Sequence, residues 1–579
     1  MLGFLRISKL EEEWVMIAVR AKKKRDPYNM SLQSLLKFKK IALVSVYDKT
    51  NLAERVRRLT KQGYGILSSG GTAKMLRENK IRVCDVATLV GGGAILGHKV
   101  VTLSREVHAG LLAADCEIEV LEQLGIPRID LVAVDLYPLE EEIAKPDCTR
   151  KSVIEKTDIG GPTMLSSAAK GGRIVISIPE DWEPTLTWIE SGCPDFDETV
   201  NAQRAKADYV VAKYRLLSAN YHSGGIYAGV IGRKVRDLAY GENRDQSPSA
   251  LYEEDPTDSL GMGKFDVLTG DPSHISVADG DRALGVMCAA ADAFRLNCNA
   301  VPFIAVACKH GAPCGIGVSF ETRNTALERA LMGDSIAVMG AEVMTNFAID
   351  EDLGRLLYEV PESLRAQVGC KYWGIDVLYA PAVDDATIDL LGKKERRRIL
   401  VNPALIYPFS SKQELMGRPV RGGFLSQKAY HFILDLHDLH LPLTAGMNDD
   451  QKIDAIIAWA ACWRSVSNTV ALANDGTLIG LGCGQQDRIA CVELCLNRAK
   501  RSGHNTNGSM FASDAFFPFA KRKREEDPLE GPEILIQAGC AGGIVPHDGK
   551  NIEEVSALFD EHKLLVGYLP SIHRGFFGH

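Results

Sequence analysis

The sequence predicts an α/β protein: a doubly wound parallel sheet in its first third, followed by two further α/β subdomains. Three observations carry this. At 579 residues the chain is too long for one hydrophobic core, so two or three domains are expected. From Lys39 onward, short apolar runs alternate with amphipathic helical stretches, the pattern of strands joined by crossover helices. Glycine-rich turns recur where a predicted strand hands over to a helix, which is where such sheets take their ligands.

Residues 1–38 mix "EEEWVMIAV" with a basic run and are set aside as an extension. "KIALVSVYD" then predicts a buried parallel strand and "NLAERVRRLTKQG" an amphipathic helix ended by glycine. "YGILSSGGT" predicts a strand running into a Gly-rich turn, and "AKMLREN" the next helix. The two strand ends, "SVYDKT" and "SSGGTAK", offer hydroxyls at Ser45, Ser69 and Thr72 and free amides at Gly70 and Gly71. That chemistry suits a phosphate cradle as well as it suits a plain turn. Further on, "RIDLVAVDLYPL" is another strand ending in a turn. In "VIEKTDIGGPTMLSSAAKGGRIVIS", Asp158 precedes a Gly-Gly-Pro turn and Lys170 closes the helix that follows. Spacing alone leaves each open between a helix-end role and a catalytic one. The helical stretch "QRAKADYVVAKYRLLSANY" ends before an irregular segment, which places a domain boundary near 225–237.

In the second half, "VACKHGAPCGIG" sets Lys309, His310 and a Pro-Cys pair among small residues. A zinc deaminase would need a second cysteine three residues after Cys314, and position 317 is glycine. An acid-base pair without metal is the reading that stands. The 14 cysteines show no CxxC spacing, which fits reduced thiols in the cytosol. No apolar run approaches the roughly 20 residues needed to cross a bilayer. A formal charge of −8, with basic runs that lack interleaved aromatics, argues against nucleic-acid binding.

Several stretches together resemble a known family, the bifunctional purine biosynthesis enzymes that join AICAR transformylase to IMP cyclohydrolase. They are "SVYDKTNL", "SSGGTAKML", "VTLSREVHAGLLA", "DLYPLEEEIA", "TDIGGPTMLSSAAK", "YGEN", "KHGAPCG", "RGGFLSQ", "SNTVALANDGTLIGLGCGQQDR" and "SDAFFPF", in the family's order from about residue 39 to the end. The resemblance implies a methylglyoxal-synthase-like cyclohydrolase domain over 39–235. It implies a transformylase domain over 236–579, built from two cytidine-deaminase-like subdomains without zinc. The implied co-substrate is 10-formyltetrahydrofolate, with no metal needed for the chemistry, in a cytoplasmic homodimer. By resemblance, His310 is the base at the attacking amine and Lys309 the proton donor or oxyanion partner. Asn468 would bond the formyl oxygen or the carboxamide. Tyr240, Gly241, Gln485, Gln486, Arg488, Asp514, Phe516 and Phe517 would line the substrates. In the first domain Tyr137, Asp158 and Lys170 would form the active constellation. Ser45, Lys49, Ser69, Gly70, Gly71, Thr72, Lys99 and Thr102 would hold the nucleotide.

The sequence departs from the family pattern in ways that bear on both sites. "GHKVVTLSREVH" puts Val101 where a lysine is usual and Ser104-Arg105 where His-Pro is usual. Asp135 stands for an asparagine and Ser166 for an arginine. In the second domain Ala239 takes the place of an arginine and Met339 that of an aromatic. The alternative expectation is therefore a silent or altered-substrate paralogue that binds purine nucleotides.

Overall fold

Five strands, β1 (Lys40–Ser45), β2 (Tyr64–Ser68), β3 (Cys84–Asp85), β4 (Leu131–Val134) and β5 (Ile174–Ile176), pair in parallel in the order β3-β2-β1-β4-β5. The computed structural model describes residues 26–96, 100–393, 397–410, 415–438 and 446–573. The chain divides into two units, Met1–Ile231, which holds this sheet, and Gly232–His579.

The apolar run of β1 is continuous because both faces of the sheet are covered. Ala42 and Val44 pack on one side against Val56 and Leu59 of α1 (Leu52–Lys61) and Leu76 of α2 (Gly70–Glu78). Ile41 and Leu43 pack on the other, against Val107 and Leu111 of α3 (Arg105–Leu112) and Leu165 and Ala168 of α4 (Gly160–Gly171). Ala207 of the long α5 (Phe196–Ser223) joins that second face. The expected doubly wound sheet is what the chain forms. It begins earlier than Lys39, however: Met30 and Leu35 are buried in the same cluster, so residues 30–38 belong to the fold and not to a leading extension.

The second unit is built on an eleven-stranded sheet. Its strands are β6 (Asp266–Thr269), β7 (Phe303–Lys309), β8 (Ala312–Ser319), β9 (Glu342–Thr345), β10 (Val377–Ala380), β11 (Arg398–Val401), β12 (Val470–Asn474), β13 (Thr477–Gly482), β14 (Met510–Ser513), β15 (Gly542–Pro546) and β16 (Leu565–Leu569). In order they run β16-β15-β14-β12-β13-β8-β7-β9-β10-β11-β6. Apart from β6, this order mirrors itself about the β13-β8 junction, so β12-β13-β14-β15-β16 repeat β7-β8-β9-β10-β11. Each half also carries a helix before its first strand, α6 (His274–Cys298) and α8 (Asp449–Trp463), and one after its second, α7 (Arg323–Met332) and α9 (Arg488–Arg501). Helices α6 and α8 share one cluster on one face, whereas α7 and α9 cover the other. The two subdomains expected from the sequence are thus two copies of one pattern.

The copies agree in detail. In each hairpin one residue is bulged out at the same place, between Pro313 and Gly315 in the first and opposite Leu472 and Ala473 in the second. Gly315 and Gly317 of β8 face the carbonyls of Ala330 and Ala326 in α7, as Gly480 and Gly482 of β13 face those of Cys495 and Cys491 in α9. A Cβ at Gly317 would land on the Ala326 carbonyl and the Ala330 amide. Gly317→Ala therefore has to lift α7 off the sheet. It is expected to lower stability by about 1–3 kcal/mol, as overpacked cores do, read as a lower urea midpoint at unchanged slope.

Candidate active sites

In the second unit, Lys309 ends β7, and His310 and Gly311 form the whole connection to β8, with Lys309 opposite Ala312. Both connecting residues have positive φ, +52° and +77°, as a two-residue type I′ hairpin requires. Asp279 of α6 fixes this turn: its two carboxylate oxygens accept the amides of His310 (2.8 Å) and Gly311 (2.6 Å). The His310 side chain is left exposed. Lys309 Nζ donates to the Met339 carbonyl at 2.5 Å. Cys314 is buried, and burial with the nearby Asp334 pushes its thiol up to about 12, which removes it as a nucleophile at neutral pH. Among the described residues no group of three or more His, Cys, Asp or Glu is arranged to hold a metal ion.

Sheet register brings a second cluster to the same end. Gly317 lies opposite Thr477 in antiparallel β8 and β13, so the start of β8 beside His310 and the end of β13 share one edge. There Asn468 donates its backbone N–H and its Nδ2 to the Gln485 carbonyl, at 3.2 and 2.9 Å. Its Oδ1 accepts from Arg488 Nη2 at 2.7 Å. The other Arg488 nitrogen, Nη1, reaches Asp514 Oδ1 (2.5 Å), Ser513 Oγ (3.1 Å) and the Thr469 carbonyl (3.0 Å). Arg488 and Asp514 are 7% and 0% exposed, so they hold Asn468 from behind and present no surface to a ligand. Gln486 is exposed and Gln485 half-buried. Phe517 belongs to the core with Phe511 and Phe559, whereas Phe516 is half-buried and its ring covers Gly549. The Tyr240 carbonyl accepts the first amide of α6, at His274, and Gly241 is buried in a turn closed on the Gln246 carbonyl.

In the first unit, Ser45 and Ser69 stand 2.8 Å apart at the ends of β1 and β2. Gly70 and Gly71 open α2 with free space around them. Thr72 is buried and spends its hydroxyl on the Val46 carbonyl. Lys49 folds back on the Val46 and Tyr47 carbonyls. Asp135 accepts the amides of Tyr47 and of Asp48, the latter at 2.9 Å, so this carboxylate clamps the loop after β1.

Asp158 accepts the Gly161 amide at 2.9 Å, and its own amide donates to the Tyr214 hydroxyl at 2.7 Å. Burial raises its carboxyl above the usual range, against the amides of Gly161 and Tyr137 and the charge of Arg215. Tyr137 is exposed and packs edge-on against Tyr47, 5.7 Å between ring centres, while Lys156 Nζ lies 5.4 Å over the Tyr47 ring. Thr102 Oγ1 sits over Gly160, beside the same turn. Lys170 is not brought into this group. It is exposed in the last turn of α4, whose first turn follows Asp158. At about 1.5 Å per residue that is roughly 15 Å along the helix. Lys99 lies outside the described residues. Val101 is half-buried against the core, Ser104 caps α3 by accepting the Val107 amide at 3.2 Å, and Ser166 is exposed. Tyr214, Lys156 and Arg215 were missed in the sequence because they sit in stretches whose pattern is fully used by helix formation.

The AICARFT/IMPCHase bienzyme family matches residues 173–498, and the MGS-like domain family matches 51–163. The chain belongs to the AICARFT/IMPCHase bienzyme family. Proteins named bifunctional purine biosynthesis protein PurH from Bacillus mycoides (strain KBAB4), Bacillus cereus (strain ATCC 10987 / NRS 248) and Bacillus anthracis (strain A0248) are each 32% identical over 514 residues, spanning 86% of this chain and 94% of theirs. A structure titled "Crystal structure of ForH" is 30% identical, covering 32% of this chain and 99% of its own at a TM-score of 0.29, too low to bear on the fold. As a family member the chain carries an MGS-like unit ahead of a duplicated α/β unit. Among the described residues no helix is long and apolar enough to cross a membrane.

Proposed function

We propose that this chain makes IMP in two steps of purine biosynthesis, as a cytoplasmic enzyme and a homodimer. The second unit moves a formyl group from 10-formyltetrahydrofolate to the 5-amino group of AICAR. The first unit closes the formylated product to IMP with loss of water. The observation that supports this most is the placement of the Lys309-His310 turn and the Asn468-Gln485 cluster at one end of one sheet. AICAR's amine is a weak nucleophile, so a base must take its proton as the C–N bond forms; the exposed His310 imidazole is that base. The tetrahedral intermediate then expels the folate nitrogen, which leaves protonated. Lys309, held by the Met339 carbonyl, donates that proton or pairs with the developing oxyanion. Asn468, fixed through Arg488, orients the formyl or carboxamide oxygen.

In ring closure the carboxamide nitrogen and formyl carbon belong to one molecule, so holding them together supplies most of the acceleration. Asp158 relays the proton, flanked by Tyr137, and the Ser45-Ser69-Gly70 edge takes the phosphate. Because burial raises the Asp158 carboxyl, ring closure should show its acid limb at a pH above the ordinary carboxylate range. That limb should vanish in Asp158→Asn together with about 10²–10⁴ of rate. A pH series on formylated AICAR checks both.

A silent or altered-substrate paralogue is the second reading. Val101 favours it for the first unit, since the position is apolar and turned to the core. Single-turnover spectroscopy with AICAR and 10-formyltetrahydrofolate decides, following tetrahydrofolate and IMP separately. Both products are expected. Tetrahydrofolate with formylated AICAR accumulating would restrict the enzyme to its second unit, and neither product would overturn the proposal.

A further inference from the structure

The duplication inside the second unit supplies its own comparison for the catalytic turn. In the second half the hairpin between β12 and β13 turns through Asp475 and Gly476, again with positive φ, +50° and +67°. Asp454 of α8 accepts their amides at 3.1 and 2.8 Å. Asp279 and Asp454 are each the sixth residue of their helix. Clamping a two-residue turn with a buried carboxylate is therefore a property of the repeated pattern. One feature is confined to the half that carries Lys309 and His310. There the buried carboxyl of Glu342, the first residue of β9, lies beside that of Asp279. Glu342 lies opposite Cys308 in the register, and the matching position, opposite Ala473, is Met510.

Glu342 and Asp279 are each 4% exposed, and no donor reaches Glu342 Oε2. Two carboxyl groups in contact away from water need a proton between them. Among the described residues no cation forms an ion pair with either carboxyl. From β7 and β8 come the thiols of Cys308 and Cys314, from β10 the Tyr379 hydroxyl, which donates to the Ser276 carbonyl, and from the segment before β10 the Asp376 carboxylate. The nearby Arg282 and Arg236 direct their hydrogen bonds to the carbonyls of Arg464 and Phe265, and Lys309 directs its own to that of Met339.

Resting on the formyl-transfer reading above, we propose that Glu342 and Asp279 form a proton-sharing pair that positions the Lys309-His310 turn, Glu342 donating to Asp279 and Asp279 holding the two turn amides. Burial first, then Asp279, raises the Glu342 carboxyl to about 9. Above that pH the pair carries two negative charges, Asp279 is pushed from its partner, and the turn loses its register. Below it the turn is locked. The sign agrees with linkage: a carboxyl raised on folding stabilises most below its unfolded value near 4.5, and that contribution is gone above about 9. Glu342 is a positioning residue, since it acts on the turn through Asp279, which holds the turn amides.

The test uses the full chain as wild type, Glu342→Gln, Asp279→Asn and Asp454→Asn. Glutamine reproduces the protonated carboxyl. Glu342→Gln should keep the neutral-pH kcat for formyl transfer and lose the alkaline fall expected near 9 in the wild type. Asp279→Asn, which turns an amide NH₂ toward one turn amide, should lower kcat on the order of a hundredfold, with KM for AICAR moved less. Asp454→Asn should lower stability and leave the kcat-pH profile alone. Independently of activity, a carboxylic-acid C=O band should disappear from the infrared spectrum on an alkaline step, and be absent in Glu342→Gln. An alkaline fall that survives in Glu342→Gln, or a wild-type spectrum without that band, overturns the proposal. The band present and Glu342-dependent in a wild type that transfers no formyl group would support the shared proton and overturn the formyl-transfer reading.

Discussion

His310→Asn folds like the wild type and transfers formyl groups about 10²–10⁴ more slowly, the range a general base supplies. The choice of asparagine follows from the backbone. His310 has φ of +52° in a two-residue hairpin, and Asn-Gly is a preferred pair for that turn. Asparagine therefore keeps the Asp279 clamp and the register of β7 with β8 while removing the imidazole. Alanine would add left-handed strain, about 1–2 kcal/mol, and confuse a chemical loss with a structural one. Lys309→Ala should cost on the order of 10²–10³ in kcat, as removing one donor from an oxyanion does. The Lys309 ammonium donates to the Met339 carbonyl and sits at the exposed turn, so its loss should spare stability. Single-turnover rates beside thermal unfolding separate the two effects. Unchanged transfer in His310→Asn would remove His310 as the base, and an unfolded variant would contradict the turn geometry.

The parts of the fold carried by periodicity were legible in the sequence, as were the residues carried by glycine. "KIALVSVYD" had to be a two-faced strand because its apolar run is unbroken, and the Gly-rich turns marked the ends where ligands would bind. What lay hidden was set by tertiary pairing. Asp279 stands in "SVADGDRALGV", beside a second aspartate and an arginine, whereas Glu342 is an acid inside the apolar "GAEVMT". Such a residue signals a buried partner without saying which, and the partner lies 63 positions away by their numbering. The duplication was hidden for the same reason, since it survives in strand order, bulge position and glycine contacts more than in residue identity. Lys170 illustrates the converse. Resemblance joined it to Asp158, and the helix between them holds the two apart.

Arg488→Met should have the largest effect on stability, because it strands a buried charge. Asp514 is 0% exposed and its Oδ2 has no hydrogen-bond partner in the structure, so Arg488 is its compensating cation. Breaking a buried ion pair from one side costs about 3–5 kcal/mol. The same change releases Asn468, whose Oδ1 is held by Arg488 Nη2. Formyl transfer should therefore fall in parallel, while ring closure of added formylated AICAR, carried by the first unit, should not. Removing both charges in Arg488→Met/Asp514→Leu tests the division of roles. With no ion left unpaired, much of the stability should return, since replacing a buried pair by apolar groups is often neutral. The transfer rate should stay low, because Asn468 still lacks its anchor. Recovery of both together would make Arg488 purely structural, and recovery of neither would mean that the backbone around Thr469 and Ser513 depends on the guanidinium itself.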